Sequence, residues 1–342
     1  MGLYEIAYKQ GAIMMKTRAI VLKENGDAEK MSWEEISLPK PEYGQVLLKH
    51  EFVGFNMIDT YHRSGVYPTP SKPCFLGTEA SGVIEQVGVG VEKFKVGDRV
   101  AYAGSSSGLG AYSYSRIINA DDLIKIPDWM GLEVAAAILT KGRTVEYLFN
   151  RTHKLQKGDR ILFNAAAGGV GQIAGQWATS IGAITIGIVG SVEKEKFARD
   201  SGYKYVFNLQ DHDIVKEVMA ITDGIGVDVV YDSIGRVTWN NSLAAVKKLG
   251  LVVSFGSASG NPPLYDVAKD GVKNSAFIHR ATMVNYMTSP EIGRKSAESV
   301  FEMIKNGNIK LNLNMDYHLD DVITVHRDAE ARKTVGQIVM RV

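Results

Sequence analysis

A single cysteine, Cys74, is present, so the chain can form no intrachain disulfide and can build no zinc site from cysteine ligands. An excess of either charge is also lacking. Thirty-nine Lys plus Arg stand against 38 Asp plus Glu, and this formal charge of +1 gives no electrostatic footprint for nucleic acid or an acidic membrane. No apolar run approaches the ~20 residues of a membrane helix, and Glu5 and Lys9 interrupt the opening MGLYEIAYKQGAIMM where an exported chain would carry its apolar stretch. These absences point to a cytoplasmic protein that does not bind membranes, with nucleic acid an improbable partner and a small molecule the expected one. Residues 1–15 read as an extension, or as sequence upstream of a start at Met14 or Met15, and carry no assigned role.

At 342 residues the chain exceeds one ordinary core, and ~100 to 200 residues per domain favours two domains. Its 45% hydrophobic and 23% charged content is that of an ordinary globular protein. Glycine is enriched, 35 residues, and clusters as GVGVEKFKVGDRV, AAAGGVG and SFGSASG, as expected of tight turns near a ligand.

From Lys16 to about Pro127 short β segments (TRAIVL, QVLLKHEFVGF, ASGVIEQVGVGV, DRVAYA) are separated by Gly, Pro and Asp turns, a spacing that predicts a barrel or sandwich. After Trp129 strands alternate with helices: RILFNA, VGQIAGQWATSIGA, ITIGIVG, VEKEKFARDSG, YVFN, a helix near Ile214 to Ile221, VDVVYD, a helix near Trp239 to Lys248, then LVVSFG. That alternation predicts a doubly wound parallel sheet. Val170, Ile173, Ala174, Trp177, Ala178 and Ile181 share one helical face. Helices are expected from Pro290 to Lys305 and from Asp320 to Ala331, and the closing VGQIVMRV is expected to rejoin the β-rich region.

RILFNA leads through AAAGGVG into the VGQIAGQWATSIGA helix, the strand, turn and helix context of a dinucleotide fingerprint, here Ala166-x-Gly168-x-x-Gly171. Gly168 lets a pyrophosphate approach, and Gly171 lets the helix pack on its strand while its first N–H groups face the anion. About 20 residues on, where a carboxylate would select NAD, stand Gly190 and Ser191 with Lys194 following. A lysine suits a 2′-phosphate, so NADPH is the expected cofactor, although Glu193 and Glu195 flank it.

The strings GFNMIDTYHRSGVYP, LGTEASGVIEQVG, VGDRV, GAY, NAAAGGVGQIAGQWA, YDSIGR and VSFGSASG resemble the medium-chain dehydrogenase/reductase superfamily, and within it the zeta-crystallin-like NADPH quinone oxidoreductases. The likeness covers nearly all of Lys16 to Val342. It implies an α/β protein in which a Rossmann-type doubly wound parallel sheet, residues 140–284, is inserted into a partly open, GroES-like β-barrel of residues 1–139 and 285–342, commonly as a homodimer. Zinc-dependent relatives place Cys and His where this chain has Asn56 and Thr78, neither a useful zinc ligand, so no metal is expected. Seven histidines (His50, His62, His153, His212, His279, His318 and His326) do not cluster in sequence and read as structural or solvated.

The resemblance places Asn56, Asp59, Tyr61 and Tyr67 at the nicotinamide end of the site as the catalytic set. It implies cofactor contacts from Asn56, Lys141, Thr144, Gly168, Gly169, Val170, Gly190, Lys194, Ser233, Gly256, Ser257 and Arg332. The fingerprint adds Gly171, and Ser191 lies in the selectivity turn. A family tyrosine near the adenosine is Leu209 here. Tyrosine hydroxyls and an amide can orient a carbonyl without carrying charge. The expected reaction is hydride transfer from NADPH to a quinone, with Tyr61 or Tyr67 polarising its oxygen and water or cofactor hydroxyls giving the proton. Reduction of activated C=C bonds in enals or enones, and an RNA-binding or crystallin-like role, remain alternatives.

Overall fold

The computed structural model describes residues 15–69 and 72–342, so the reading of residues 1–14 lies outside the described residues. The chain divides into two compact units, one of residues up to Thr140 plus Asn312–Val342, the other Lys141–Leu311.

In the first unit β1 (Met15–Leu22), β2 (Met31–Leu38) and β3 (Gln45–Gly54) precede helix α1 (Met57–Ser64). Then come β4 (Cys74–Phe75), β5 (Glu79–Val87), β6 (Arg99–Ala103), β7 (Ser115–Asn119), β8 (Ile124–Lys125) and helix α2 (Leu132–Tyr147), within which the division falls.

The second unit alternates strand and helix: β9 (Arg160–Asn164), α3 (Gly169–Ile181), β10 (Ile184–Val189), α4 (Glu195–Asp200), β11 (Tyr205–Asn208), α5 (Ile214–Ile221), β12 (Val227–Asp232), α6 (Trp239–Ala245) and β13 (Val246–Ser254). It ends with α7 (Val267–Asp270), β14 (Phe277–Arg280), α8 (Met283–Tyr286) and α9 (Pro290–Lys305). The chain returns to the first unit with β15 (Leu313–His318), α10 (Val322–Glu330) and β16 (Gln337–Arg341).

All six strands of the second unit are parallel, in the order β11-β10-β9-β12-β13-β14. This is the doubly wound order whose reversal, here between β9 and β12, makes a crevice at the carboxyl ends of the strands. On α3 the expected face holds: Ile173, Ala174, Trp177 and Ala178 are buried. A Cβ on Gly171 would lie 2.3 Å from the Ala165 carbonyl oxygen, and one on Gly175 would lie 2.4 Å from that of Ser201, so only glycine lets α3 sit this close.

In the first unit β16 pairs antiparallel with β3, Val339 opposite Gly54 and Met340 opposite Val53, which returns the chain end to the β-rich unit as expected. The core there gathers Leu48, Val53, Phe55, Ile84, Tyr102, Val325 and Met340.

Two details differ from expectation. The return falls at residue 312 rather than 285, because α9 belongs to the second unit: the Ser296 hydroxyl donates to buried Glu146 at 2.7 Å, and the Lys310 N–H donates to Gln176 of α3 at 2.8 Å. Helix α6 stops at Ala245, since Val246 pairs with Val227 and extends β13. The polar segment after β3 forms helix α1, with the Asn56 N–H donating to the Asp59 carboxylate at 2.9 Å in the manner of a capping box.

Candidate active site

Most of the expected cofactor residues follow the carboxyl ends of parallel strands. Gly168, Gly169, Val170 and Gly171 follow β9, Gly190, Ser191 and Lys194 follow β10, Ser233 follows β12, and Gly256 and Ser257 follow β13. Leu209 follows β11, its N–H donating to the Val189 carbonyl at 2.9 Å. Lys141 and Thr144 lie buried one turn apart on α2. Asn56 and Arg332 belong to the first unit, where Arg332 is exposed just past α10 with a left-handed φ of 60°.

The turn before α3 is built from backbone. Ala165 holds a left-handed φ of 60°, a conformation costly for a residue with a Cβ, and the Gly168 N–H donates to its carbonyl at 2.9 Å. Gly168 is the N-cap, no side chain caps the helix, and the first turn carries no acid, so the amide dipoles there are suited to an anion. A Cβ at Gly168 would approach only Ala165, at 3.2 Å, and one at Gly190 would meet nothing within 4 Å. The Ser257 hydroxyl is buried without a hydrogen-bond partner among the described residues. Open space at two glycines and an orphaned donor at the same sheet edge fit a dinucleotide phosphate and its ribose.

Two residues that sequence reasoning passed over brace this edge. Asp232, fully buried, accepts from the Ile234 and Gly235 N–H groups and from the Thr238 and Ser242 hydroxyls, and Ser242 accepts from the Asn164 amide, so the ends of β9 and β12 are tied through α6. Arg280 donates to Ser254 and to the Gly256 carbonyl, both at 2.8 Å, and shapes the turn after β13. The string YDSIGR carried the signal for Asp232, an acid at a strand end followed by small polar donors.

The first unit brings Asn56 and Asp59 together at the start of α1, both buried. The Asn56 amide donates to Glu79 of β5 at 2.7 Å, and the other Glu79 oxygen accepts the Thr140 N–H at 2.9 Å. Tyr61 and Tyr67 are half-buried, their rings edge to face with centroids 5.2 Å apart, and the Tyr67 N–H donates to the Tyr61 carbonyl.

Asp59 has no exposed surface. Its Oδ2 accepts the Asn56 N–H and the Tyr112 hydroxyl, the latter at 3.0 Å, and Tyr112 lies 3.1 Å from His326 Nε2. Burial pushes the Asp59 carboxyl up to about 7; the Asn56 N–H and the Thr78 and Tyr112 hydroxyls oppose the shift, and Glu79 adds to it. Burial, with Arg63 adding repulsion, holds the His326 imidazole down to about 3. Arg63 is buried and ion-paired to Glu330. Glu79, Tyr112 and His326 were missed as partners because they lie 20 to 267 positions from Asp59; an isolated acid among the small residues of LGTEASG was the one local hint.

The chain matches the family described as alcohol dehydrogenase GroES-like domain over residues 42–128 and that described as zinc-binding dehydrogenase over residues 169–298. A quinone oxidoreductase of Pseudomonas aeruginosa is 39% identical over 92% of this chain and 96% of its own. A 2-haloacrylate reductase of Burkholderia sp is 37% identical over 94% of this chain and 98% of its own. The crystal structure of Escherichia coli quinone oxidoreductase complexed with NADPH superposes with a TM-score of 0.92 at 38% identity, covering 95% of this chain and all of the other. Fold and sheet edge thus define a dehydrogenase/reductase built on a GroES-like unit and a nucleotide unit. The chain belongs to the quinone oxidoreductases of the medium-chain dehydrogenase/reductase superfamily.

One matching family is named for zinc, but the residues here do not fit that metal. Asn56 and Thr78 stand where the ligands would be, the Asn56 nitrogen is engaged with Glu79, and no group of three or more His, Cys, Asp or Glu among the described residues could hold an ion. No described helix is long and apolar enough to cross a membrane.

Proposed function

We propose that this chain reduces quinones with NADPH, binding the cofactor through Lys141, Thr144, Gly168, Gly169, Val170, Gly171, Gly190, Ser191, Lys194, Ser233, Gly256 and Ser257, with Asn56 and Arg332 contributing from the first unit. The observation that carries this reading is the uncapped start of α3, where Gly168 leaves room for phosphate and Gly171 lets the helix reach it. NADPH bound there supplies a hydride. Ser191 and Lys194 receive the 2′-phosphate at the end of β10, in place of the Glu193 carboxylate that both hold in the free chain. Asn56, with its amide held by Glu79, and the hydroxyls of Tyr61 and Tyr67 orient the acceptor's carbonyl oxygen, while Asp59 braces the Asn56 turn. These groups need little acid strength, because a quinone delocalises the incoming charge itself.

Stopped-flow measurement of NADPH oxidation with ortho- and para-quinones tests the reading. Quinone-dependent oxidation well above the uncatalysed rate is expected, and its absence defeats the assignment. Likeness to a 2-haloacrylate reductase favours a second reading, reduction of an activated C=C bond. Product analysis separates the two, a hydroquinone or semiquinone against a saturated carbonyl compound.

The edge strand β14, with Phe277 64% and Ile278 38% exposed, supports a homodimer formed through that edge. Light scattering should find a dimer that Phe277→Glu dissociates. The near-neutral charge argues against a nucleic-acid partner, and the single thiol suits a reducing, cytoplasmic setting.

A further inference from the structure

The turn that opens α3 is strained, and its neighbours must hold it. Ala165 has a left-handed φ of 60°, a conformation disfavoured about 5- to 30-fold for a residue with a Cβ unless the chain on both sides leaves no alternative. After it, the Ala166 N–H donates to the Ile188 carbonyl of β10 at 2.9 Å. Before it stands Asn164, the last residue of β9, whose buried side-chain amide donates to the Ser242 hydroxyl of α6 at 3.0 Å.

The ladder between β9 and β12 ends with Phe163 opposite Tyr231. One residue further, at the strand ends where the order of the sheet reverses, Asn164 and Asp232 are joined through a side chain instead. Ser242 donates to Asp232 Oδ2 at 2.7 Å while accepting from Asn164. A hydroxyl has one proton, so donating it to Asp232 leaves only lone pairs for Asn164 and fixes which way that amide faces. Asp232 is itself held fast. Its Oδ1 accepts the Ile234 and Gly235 N–H groups at 2.8 and 3.0 Å, and the Thr238 hydroxyl lies 2.8 Å from each of its oxygens. Asn164, Asp232, Thr238 and Ser242 are all buried, so water does not compete for these bonds.

We propose that Asp232 is a positioning residue for the cofactor: through the Ser242 hydroxyl and the Asn164 amide it locks Ala165 in its left-handed conformation and keeps the turn before α3 set for phosphate. The crevice at such a reversal is where an open parallel sheet takes its ligand, and the relay joins the two strand ends that border it. Asp232 acts through Asn164 and Ala165 and need touch no cofactor atom. With the relay in place the amides that open α3 meet a phosphate without rearrangement. Without it Ala165 relaxes to an ordinary φ, and each binding event must re-form the strained turn. In Asp232→Asn the two backbone donors at Oδ1 force the new amide nitrogen to the Oδ2 position, where it faces the Ser242 proton and disrupts the relay.

This inference rests on the reading of α3 as the dinucleotide site, so one measurement is made without cofactor. In the cofactor-free protein the Ala166 and Gly168 amides, compared with that of Leu162 within β9, should exchange hydrogen about 5- to 30-fold faster in Ser242→Ala than in wild type. NADPH dissociation constants, followed by tryptophan fluorescence, should rise about 5- to 30-fold in Ser242→Ala and in Asp232→Asn. Ser242→Ala decides the matter by itself should Asp232→Asn fail to fold. In an Ala165→Gly background, where a φ of 60° carries no penalty, adding Ser242→Ala should change NADPH affinity by less than about twofold. A role in stability alone would lower the unfolding temperature in both backgrounds and leave the dissociation constants where they were. An unchanged dissociation constant in Ser242→Ala, or an equal loss with alanine and with glycine at position 165, overturns the proposal. The exchange difference in a protein whose wild type binds no NADPH supports the lock and defeats the dinucleotide reading instead.

Discussion

The two units hold their polar groups in opposite ways. The nucleotide turn of the second unit is seven consecutive residues, Ala165 to Gly171, that present backbone amides and rely on the absence of side chains. The acid cluster of the first unit draws Asn56, Asp59, Arg63, Glu79, Tyr112 and His326 from four separate segments and works through buried, titratable side chains. A backbone-built site should fail when a Cβ is added and be indifferent to pH. A side-chain-built site should do the reverse.

The largest effect should come from Gly171→Val. The new Cβ would lie 2.3 Å and 2.5 Å from the Ala165 and Ala166 carbonyl oxygens, so α3 must lift from β9. A loss of about 3 kcal/mol in thermal or urea unfolding is expected, with NADPH affinity down about 100-fold. Gly168→Ala, where only Ala165 is approached, should leave stability near wild type yet still weaken NADPH.

The pH response should come from the first unit. Buried His50 and His326, each held down to about 3 against an ordinary 6.5, give stability that is present above 6.5 and lost as pH falls towards 3. Asp59 has the opposite sign: raised from 3.8 to about 7, its contribution is full below 3.8 and is lost as pH rises through 7. Unfolding free energy against pH should lose up to about 1.4 kcal/mol per pH unit of its acid-side slope in His326→Gln. Asp59→Asn should remove the decline towards 7. An unchanged profile in both variants would break the contrast between the units.

A smaller effect is expected for Glu330→Gln, which leaves the Arg63 charge buried without its counter-ion. Glu330 is 41% exposed, so solvent moderates the loss to about 1 to 2 kcal/mol. Arg63→Met in the same background should recover most of it in urea denaturation. The smallest is Lys194→Ala, which should narrow the preference for NADPH over NADH by about tenfold or less, read from the two dissociation constants.

The same contrast explains what could be read in advance. The alternation after Trp129, the buried face of α3 and the glycine turn are local, and periods of 2 and 3.6 with a fixed spacing disclose them. The return of the tail was legible too, but not its place, because α9 is held in the second unit by Glu146 and Gln176, partners more than a hundred residues away. Helix α1 carried a signal that went unused, Asn56 followed three residues later by an acid. The burial of Asp59 had none: Tyr112 and His326 reach it from a loop and from α10, and nothing in MIDTYHRS announces them.

That the opening of α3 holds a phosphorylated dinucleotide is tested most directly by titrating NADPH into wild-type protein and Gly168→Val while following fluorescence from the four tryptophans. Saturable quenching in the wild type, markedly weakened in a variant that unfolds at the same temperature, is the predicted result. Equal affinity in the two proteins, or no saturation in either, would contradict it.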